Sequence, residues 1–344
     1  MKDKKTIYIR VDANEQIAMG HLMRTMSIAE AVRAEGGECC FITSDHHCDE
    51  KLESKGFPVI CLDSVWDDLN QEIRTMEDLI KSRNIGCLLL DSYFVTPEYF
   101  GVLSKLTKII YIDDLKAFPY ECQAIINYVI GESHKDYSYF QGELYTGAQY
   151  VPLRKEFSEG GTCLSATELK RIMVTTGGAD MYHFGVHFLK TFLEDDRFKT
   201  CHVTLVVGSK NQDKDHILEA YGQNERVTVM VDAENMSQLM IAADAIVSAG
   251  GTTLYEACAC KTPSISYALA DNQLTNVMRF DELGGLYYAG DIRHGIHAVI
   301  GRILDKLEIM KSAEVRQQIA ETMGNVVDGQ GATRIARILI EKVK

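Results

Sequence analysis

The chain is short of basic charge: 36 lysines and arginines stand against 49 aspartates and glutamates, a formal net charge of −13. No basic field is available to neutralise phosphates, which argues against a nucleic-acid partner. The acidity itself names no partner and goes with solubility. Long apolar runs are also missing, and none approaches the ~20 residues that a membrane-spanning helix needs. The opening residues, MKDKKTIYIRVDA, place no apolar stretch behind their lysines, so no signal peptide is expected and the expected location is the cytoplasm. The ten cysteines show no zinc-type CxxC spacing; they include Cys39-Cys40 and Cys258-Ala259-Cys260, and most others stand in apolar runs, as Cys61, Cys87 and Cys201 do. Buried, reduced thiols are the natural reading. His46 and His47 beside Cys48 and Asp49 have the chemistry of metal ligands. Without matching ligands elsewhere, no metal is expected. There is no P-loop lysine motif and no GxGxxG after the first strand, which disfavours ATP and nicotinamide cofactors; no cofactor is expected.

What remains is an ordinary globular composition, 46% hydrophobic and 25% charged over 344 residues, enough for two cores. Short apolar runs alternate with segments of helical periodicity. Strands are expected at 6–11, 38–43, 57–62, 85–90, 108–112 and 124–127, with helices at 20–32, 48–55, 68–82 and 97–106 between them. Polar residues recur at the carboxyl ends of these strands: Asp12, Asp91, Tyr93, Asp113 and Asp114. Such a row describes the rim of a pocket. Residues 131–170 are irregular and carry Pro152, with a short strand expected at 147–153. A second βα series then runs from 171, with strands at 171–175, 202–207, 227–231, 245–247 and 263–267, a polar segment at 270–276 and closing helices at 315–323 and 332–342. The expected architecture is α/β: two open, Rossmann-like parallel-sheet domains, 1–150 and 151–344, facing a cleft, with the last helix free to pack back on the first domain. A monomer is expected.

Three places combine chemistry with position. In residues 6–32 a strand runs through a polar loop into a helix, which puts its loop at the carboxyl edge of the sheet, where ligands bind. His21 stands at that helix N-terminus beside Gly20, and its side chain is the one there that exchanges protons near neutrality. Gly177 and Gly178, after a strand and before a helix, let backbone N–H groups approach an anion. The stretch Ser248, Ala249, Gly250, Gly251, Thr252, Thr253 joins hydroxyls and glycines at another helix N-terminus. Two such loops in one domain suit a diphosphate, and Glu256, one turn further on, is placed to accept the hydroxyls of a ribose.

The segment Arg10-Val11-Asp12-Ala13-Asn14-Glu15-Gln16-Ile17-Ala18-Met19-Gly20-His21-Leu22-Met23-Arg24 resembles the opening of the nucleotide-sugar hydrolases of the pseudaminic acid pathway and of related spore-coat polysaccharide proteins. The second half, from Gly177-Gly178 through Ser248 and Glu256 to Asp271-Asn272-Gln273, resembles the UDP-binding domain of MurG-type GT-B glycosyltransferases. The hydrolase family commonly shows Gly-x-Gly-His where this chain has Ala18-Met19-Gly20-His21. The resemblance implies a GT-B fold and metal-independent hydrolysis of UDP-2,4-diacetamido-2,4,6-trideoxy-β-L-altropyranose. His21 would be the general base on water, Tyr93 the family's tyrosine, and Asp12 or Asp91 the carboxylate that orients the imidazole. Gly20 and Arg24, with Asn272 and Gln273, would bind substrate, and UDP would leave against the helix ends at Gly177-Gly178 and at 248–253. Other readings are a glycosyltransferase using the same donor, a non-hydrolysing epimerase, and a catalytically silent nucleotide-sugar binding module. A membrane-working transferase would be expected to carry a basic or apolar face, and residues 1–130 show none.

Overall fold

The computed structural model describes residues 6–14, 19–159, 161 and 167–343. It divides into unit 1, residues 1–155 with 329–344, and unit 2, residues 156–328. Unit 1 begins with β1 (Thr6–Val11), α1 (Gly20–Ala34), β2 (Glu38–Thr43), α2 (Asp49–Ser54) and β3 (Val59–Cys61). It continues through α3 (Ile73–Arg83), β4 (Cys87–Asp91), α4 (Pro97–Leu103), β5 (Lys108–Ile112), β6 (Ala124–Asn127) and β7 (Glu143–Thr146). Unit 2 contains α5 (Glu156–Glu159), β8 (Arg171–Thr175), α6 (Phe184–Glu194), β9 (His202–Val207), α7 (Lys214–Tyr221) and β10 (Val227–Val231). After these come α8 (Met236–Ala242), β11 (Ala245–Ala249), α9 (Thr252–Ala259), β12 (Ser264–Ala268) and α10 (Asp271–Glu282). It closes with β13 (Tyr287–Asp291), α11 (Ile296–Ile309) and α12 (Ala313–Val326), and α13 (Gly331–Val343) returns to unit 1.

Both sheets are parallel throughout. Unit 1 has the order β3-β2-β1-β4-β5-β6-β7 and unit 2 the order β10-β9-β8-β11-β12-β13. These are two Rossmann-like domains. In each, the strand order reverses at the first strand, so the crevice beside β1 and β4, and that beside β8 and β11, is the topological switch point where ligands bind in open α/β sheets. Helices cover both faces of unit 1, which is why β4 reads as an unbroken apolar run. One core gathers Ile7, Ile9 and Leu89 with Leu22, Ile28 and Val32 of α1 and Ile335 and Leu339 of α13. The other gathers Leu88 and Leu90 with Met76 and Ile80 of α3 and Tyr99, Phe100 and Leu103 of α4. Local signals set the helix ends: Thr96 accepts the Tyr99 N–H and Pro97 occupies the first turn of α4.

Several expectations need correction. The strand expected at 147–153 lies earlier, at Glu143–Thr146; Gly147, at φ 100°, ends it and a 3-10 turn follows at Ala148–Tyr150. The polar segment at 270–276 is the first part of α10, a helix whose opening residues happen to be polar. Ser248 and Ala249 belong to β11, so the loop before α9 is only Gly250 and Gly251. Residues 15–18, Ala18 among them, lie outside the described residues, as does the side chain of Asn272. Among the described residues the cysteines are free, and burial pushes the Cys39 and Cys87 thiols up to about 12. No helix among them is long and apolar enough to cross a membrane.

Candidate functional site

At the unit 1 switch point, β1 and β4 end in register, Val11 opposite Asp91. α1 has no side-chain cap from Met19 and no acidic residue in its first turn, and a helix N-terminus favours an anion. His21 lies in that first turn and its Nδ1 is 2.6 Å from Asp91 Oδ1. Arg24, one turn on, reaches the same carboxylate twice: Nη2 donates to Oδ1 at 2.5 Å and Nε to Oδ2 at 2.6 Å. Burial alone would raise the Asp91 carboxyl; the Arg24 guanidinium and the His21 ring outweigh it and bring it down to about 2. Arg24 Nη2 also lies 3.0 Å from His21 Nδ1, but the shorter contact is to the ionised Asp91 oxygen, which accepts from the tautomer that carries its proton on Nδ1 and its lone pair on Nε2. That is the tautomer of a general base.

Tyr93, two residues past β4, meets the His21 ring edge to face, with centroids 4.4 Å apart and planes at 80°. Its side chain is 42% exposed, and its hydroxyl donates to Asp114 Oδ2 at 3.0 Å. Asp114, after β5, also accepts from Arg24 Nη1 at 2.7 Å, and that nitrogen lies 2.5 Å from the Tyr128 hydroxyl. Burial and the Asp114 charge hold the Tyr93 phenol well above its usual range, so it is neutral at physiological pH. The expected residues His21, Arg24, Asp91 and Tyr93 therefore come together, with Gly20 at the start of the same helix. Arg24 serves the carboxylates Asp91 and Asp114. Asp114 was visible in the sequence only as one of a row of rim residues, and Tyr128 was not singled out.

Asp12 turns elsewhere. Its Oδ2 accepts from Arg10 Nη1 at 2.6 Å and its Oδ1 from the Ser44 N–H at 2.7 Å. Arg10, fully buried, also donates through Nε and Nη2 to both oxygens of Glu72 at 2.8 Å, and the Tyr99 hydroxyl closes the group on Glu72. Of the two carboxylates considered for orienting the imidazole, Asp91 is the one in contact. Asp113 is likewise occupied within the fold, accepting from the hydroxyls of Tyr120 and Tyr137 and from two backbone N–H groups.

In unit 2 the loops after β8 and β11 flank the second switch point. Gly177 and Gly178 are exposed, Gly177 at φ 71°. A Cβ on Gly208 would meet Gly178 O at 2.5 Å and its Cα at 2.7 Å, so the end of β9 packs directly on this loop. The N-terminus of α6 is already capped: Asp180 accepts from the Phe184 and Gly185 N–H groups at 2.9 Å each. α9 differs, since Gly251 offers no side-chain cap and no acidic residue opens the helix, with Thr252 exposed and Thr253 half-buried. Its end is therefore the better anion site of the two. Ser248 does not belong to the rim, because its hydroxyl is buried in the strand and has no hydrogen-bond partner among the described residues. Glu256 is buried on α9. Gln273, in the first turn of α10, packs against Gly250 and accepts the Leu269 N–H at 3.0 Å.

Residues 171–323, which run through unit 2 from β8 onward, match the model of the glycosyltransferase family 28 C-terminal domain. Over its whole length the chain is similar to the MurG structure of Acinetobacter baumannii, with TM-score 0.70, 10% identity, and 98% of this chain and 99% of that one covered. The fold is GT-B. The UDP-GlcNAc 2-epimerase of Neisseria meningitidis, solved with UDP-GlcNAc, shows it too, at TM-score 0.64 and 11% identity over 98% of this chain and all of that one. Among sequence relatives, an uncharacterized protein of Methanocaldococcus jannaschii is 27% identical over 267 residues, 73% of this chain and 53% of its own length. The spore coat polysaccharide biosynthesis protein SpsG of Bacillus subtilis is 24% identical and aligned over 96% of both chains. The pseudaminic acid cytidylyltransferase and UDP-2,4-diacetamido-2,4,6-trideoxy-beta-L-altropyranose hydrolase of Helicobacter pylori is 26% identical over 212 residues, 57% of this chain. The match spans only 36% of that longer protein, and about half of the Methanocaldococcus one.

Proposed function

We propose that this protein hydrolyses a UDP-linked diacetamido-trideoxy sugar, releasing the free sugar and UDP. The observation that carries the reading is the His21–Asp91 pair, 2.6 Å apart at the N-terminus of α1, with the exposed Tyr93 ring against the imidazole. Asp91 keeps the proton on Nδ1, so Nε2 takes the proton of a water molecule as that water attacks the anomeric carbon. The water oxygen bonds to carbon, the bond from carbon to the diphosphate oxygen breaks, and UDP departs as a stable anion that needs no proton. Asp91, fixed by Arg24, then stabilises the imidazolium that forms. Unit 2 holds the nucleotide: backbone N–H groups of Gly177, Gly178, Gly251, Thr252 and Thr253 receive the diphosphate, and Glu256 receives the ribose. Gln273 completes the nucleotide site. The match of unit 2 to a glycosyltransferase C-terminal domain and the hydrolase activity named for the Helicobacter relative support this assignment. No step requires a metal.

The test is incubation with a panel of UDP-sugars and no acceptor, following UDP release. Release is expected from the diacetamido-trideoxy-altrose nucleotide. General-base assistance is worth roughly 10²–10⁴-fold, so His21→Ala should lose that factor in kcat while binding UDP as before. A His21→Ala protein with near-normal turnover removes this residue from the chemistry. UDP binding without release until an acceptor alcohol is added replaces the hydrolase by a transferase.

A further inference from the structure

At the outer edge of the unit 1 sheet, β2 and β3 end side by side, Thr43 opposite Cys61. Past β2 the chain makes a 3-10 turn at His46–Cys48, and just past β3 stands Asp63. The run His46-His47-Cys48-Asp49 does not act as one group. Cys48 is buried and its thiol donates to Ala13 O at 3.4 Å, while His47 pairs with Asp45 at 2.8 Å. His46 instead meets two residues from the next strand end. One ligand atom each from His46, Cys61 and Asp63 lies within 4.8 Å of the others. Asp63 Oδ1 is 3.6 Å from His46 Nε2 and 3.6 Å from Cys61 Sγ.

The His46–Asp63 separation is long for a hydrogen bond, while the Cys61 thiol donates to Asp63 Oδ1 and, at 3.7 Å, to Ser44 O; both 3.6 Å separations are close to the edges of a coordination tetrahedron. Zinc bonds of roughly 2.0–2.3 Å to nitrogen, oxygen and sulfur give edges of about 3.3–3.5 Å. A second observation concerns the other imidazole nitrogen: Nδ1 of His46 is 2.5 Å from Asp49 Oδ2. A carboxylate on the far nitrogen is what orients an imidazole towards a metal and fixes its tautomer. The remaining oxygen of Asp49, Oδ1, is shut away from solvent and has no hydrogen-bond partner among the described residues.

We propose that His46 Nε2, Cys61 Sγ and the Asp63 carboxylate form a zinc-type divalent-cation site, completed by solvent, with Asp49 positioning His46. The mixed nitrogen, sulfur and oxygen donor set selects zinc over magnesium or calcium, which take oxygen ligands. The ion ties the end of β2 to the end of β3. His21 and Asp91 stand on the other side of β2, after β1 and on β4, so the site is independent of the hydrolysis proposed above.

The experiment titrates the full chain, reduced and stripped with chelator, with Zn²⁺ by calorimetry and with Co²⁺ by absorption. One ion per chain is expected, and Co²⁺ should give tetrahedral ligand-field bands together with a thiolate charge-transfer band. Cys61→Ser should abolish the charge-transfer band, and His46→Ala should weaken Zn²⁺ binding at least tenfold. Asp49→Asn should weaken it roughly 10–100-fold as an outer-shell change. These positions lie at the surface or partly exposed, so each variant should keep the wild-type unfolding midpoint in chelator. Absence of binding at micromolar Zn²⁺, equal binding of Mg²⁺, or a charge-transfer band that survives Cys61→Ser overturns the assignment.

Discussion

Asp91 is the residue on which the catalytic proposal turns. It is 1% exposed, and burial raises its carboxyl while Arg24 and His21 bring it down. Its folded value of about 2 lies below the usual 3.8. The stability it contributes is therefore present above about pH 4 and lost as pH falls towards 2. Asp91→Asn keeps an acceptor for His21 but removes the charge. Turnover should fall at least about 100-fold, and acid unfolding of the variant should depend less on pH between 4 and 2. Unchanged kcat in a folded Asp91→Asn protein would leave the imidazole without need of a charged partner. Asp91 and Tyr93 were legible in the sequence because polar residues at the carboxyl ends of parallel strands must converge on one edge, and His21 because it stands at the N-terminus of the helix that follows the first strand. Asp12 was not distinguishable from Asp91 by that rule. What separates them is Arg10, whose partner Glu72 lies 62 residues away, and no local pattern announces such a pairing.

At the scale of elements, unit 2 shows how strand ends and loops trade residues. Ser248-Ala249 reads equally well as the last pair of a strand or the first pair of a loop; pairing of Ser248 with Thr175 and Ser266 settles it in β11. Asp271-Asn272-Gln273 reads as a polar loop until Val277 and Phe280, both buried, give α10 its inner face. The Gly177-Gly178 loop was plain from its two glycines, but its support was not, since Gly208 comes from the neighbouring strand. A Cβ there must displace backbone atoms of Gly177 and Gly178. Overpacking of this kind costs about 1–3 kcal/mol, and 1.4 kcal/mol is tenfold in affinity. Gly208→Ala should thus weaken UDP binding by about tenfold in calorimetric titration. An unaltered Kd would mean that the diphosphate does not rest on this loop.

At the scale of the whole molecule, the chain's last helix is part of its first unit. α13 sends Ile335, Leu339 and Val343 into the core formed with α1 and β1, and Gly331 at its start sits against the backbone of Tyr150 and Val151. Burying such side chains is worth roughly 1.5–3 kcal/mol each, a large part of the 5–15 kcal/mol that typically holds a domain. Removing residues 329–344 should therefore raise amide exchange throughout residues 1–155 while leaving residues 171–323 protected; uniform protection would show that α13 adds little. The two-domain plan was readable from the repeated strand–helix alternation. The apolar periodicity of residues 331–343 marks a helix but cannot say which sheet it covers. The central claim, that water attacks the anomeric carbon, is tested most directly by running the reaction in water enriched in heavy oxygen, without acceptor, and analysing both products early. The label is expected in the hydroxyl at the anomeric carbon of the free sugar, with UDP unlabelled. Label in the UDP phosphate, or no release at all, would contradict it.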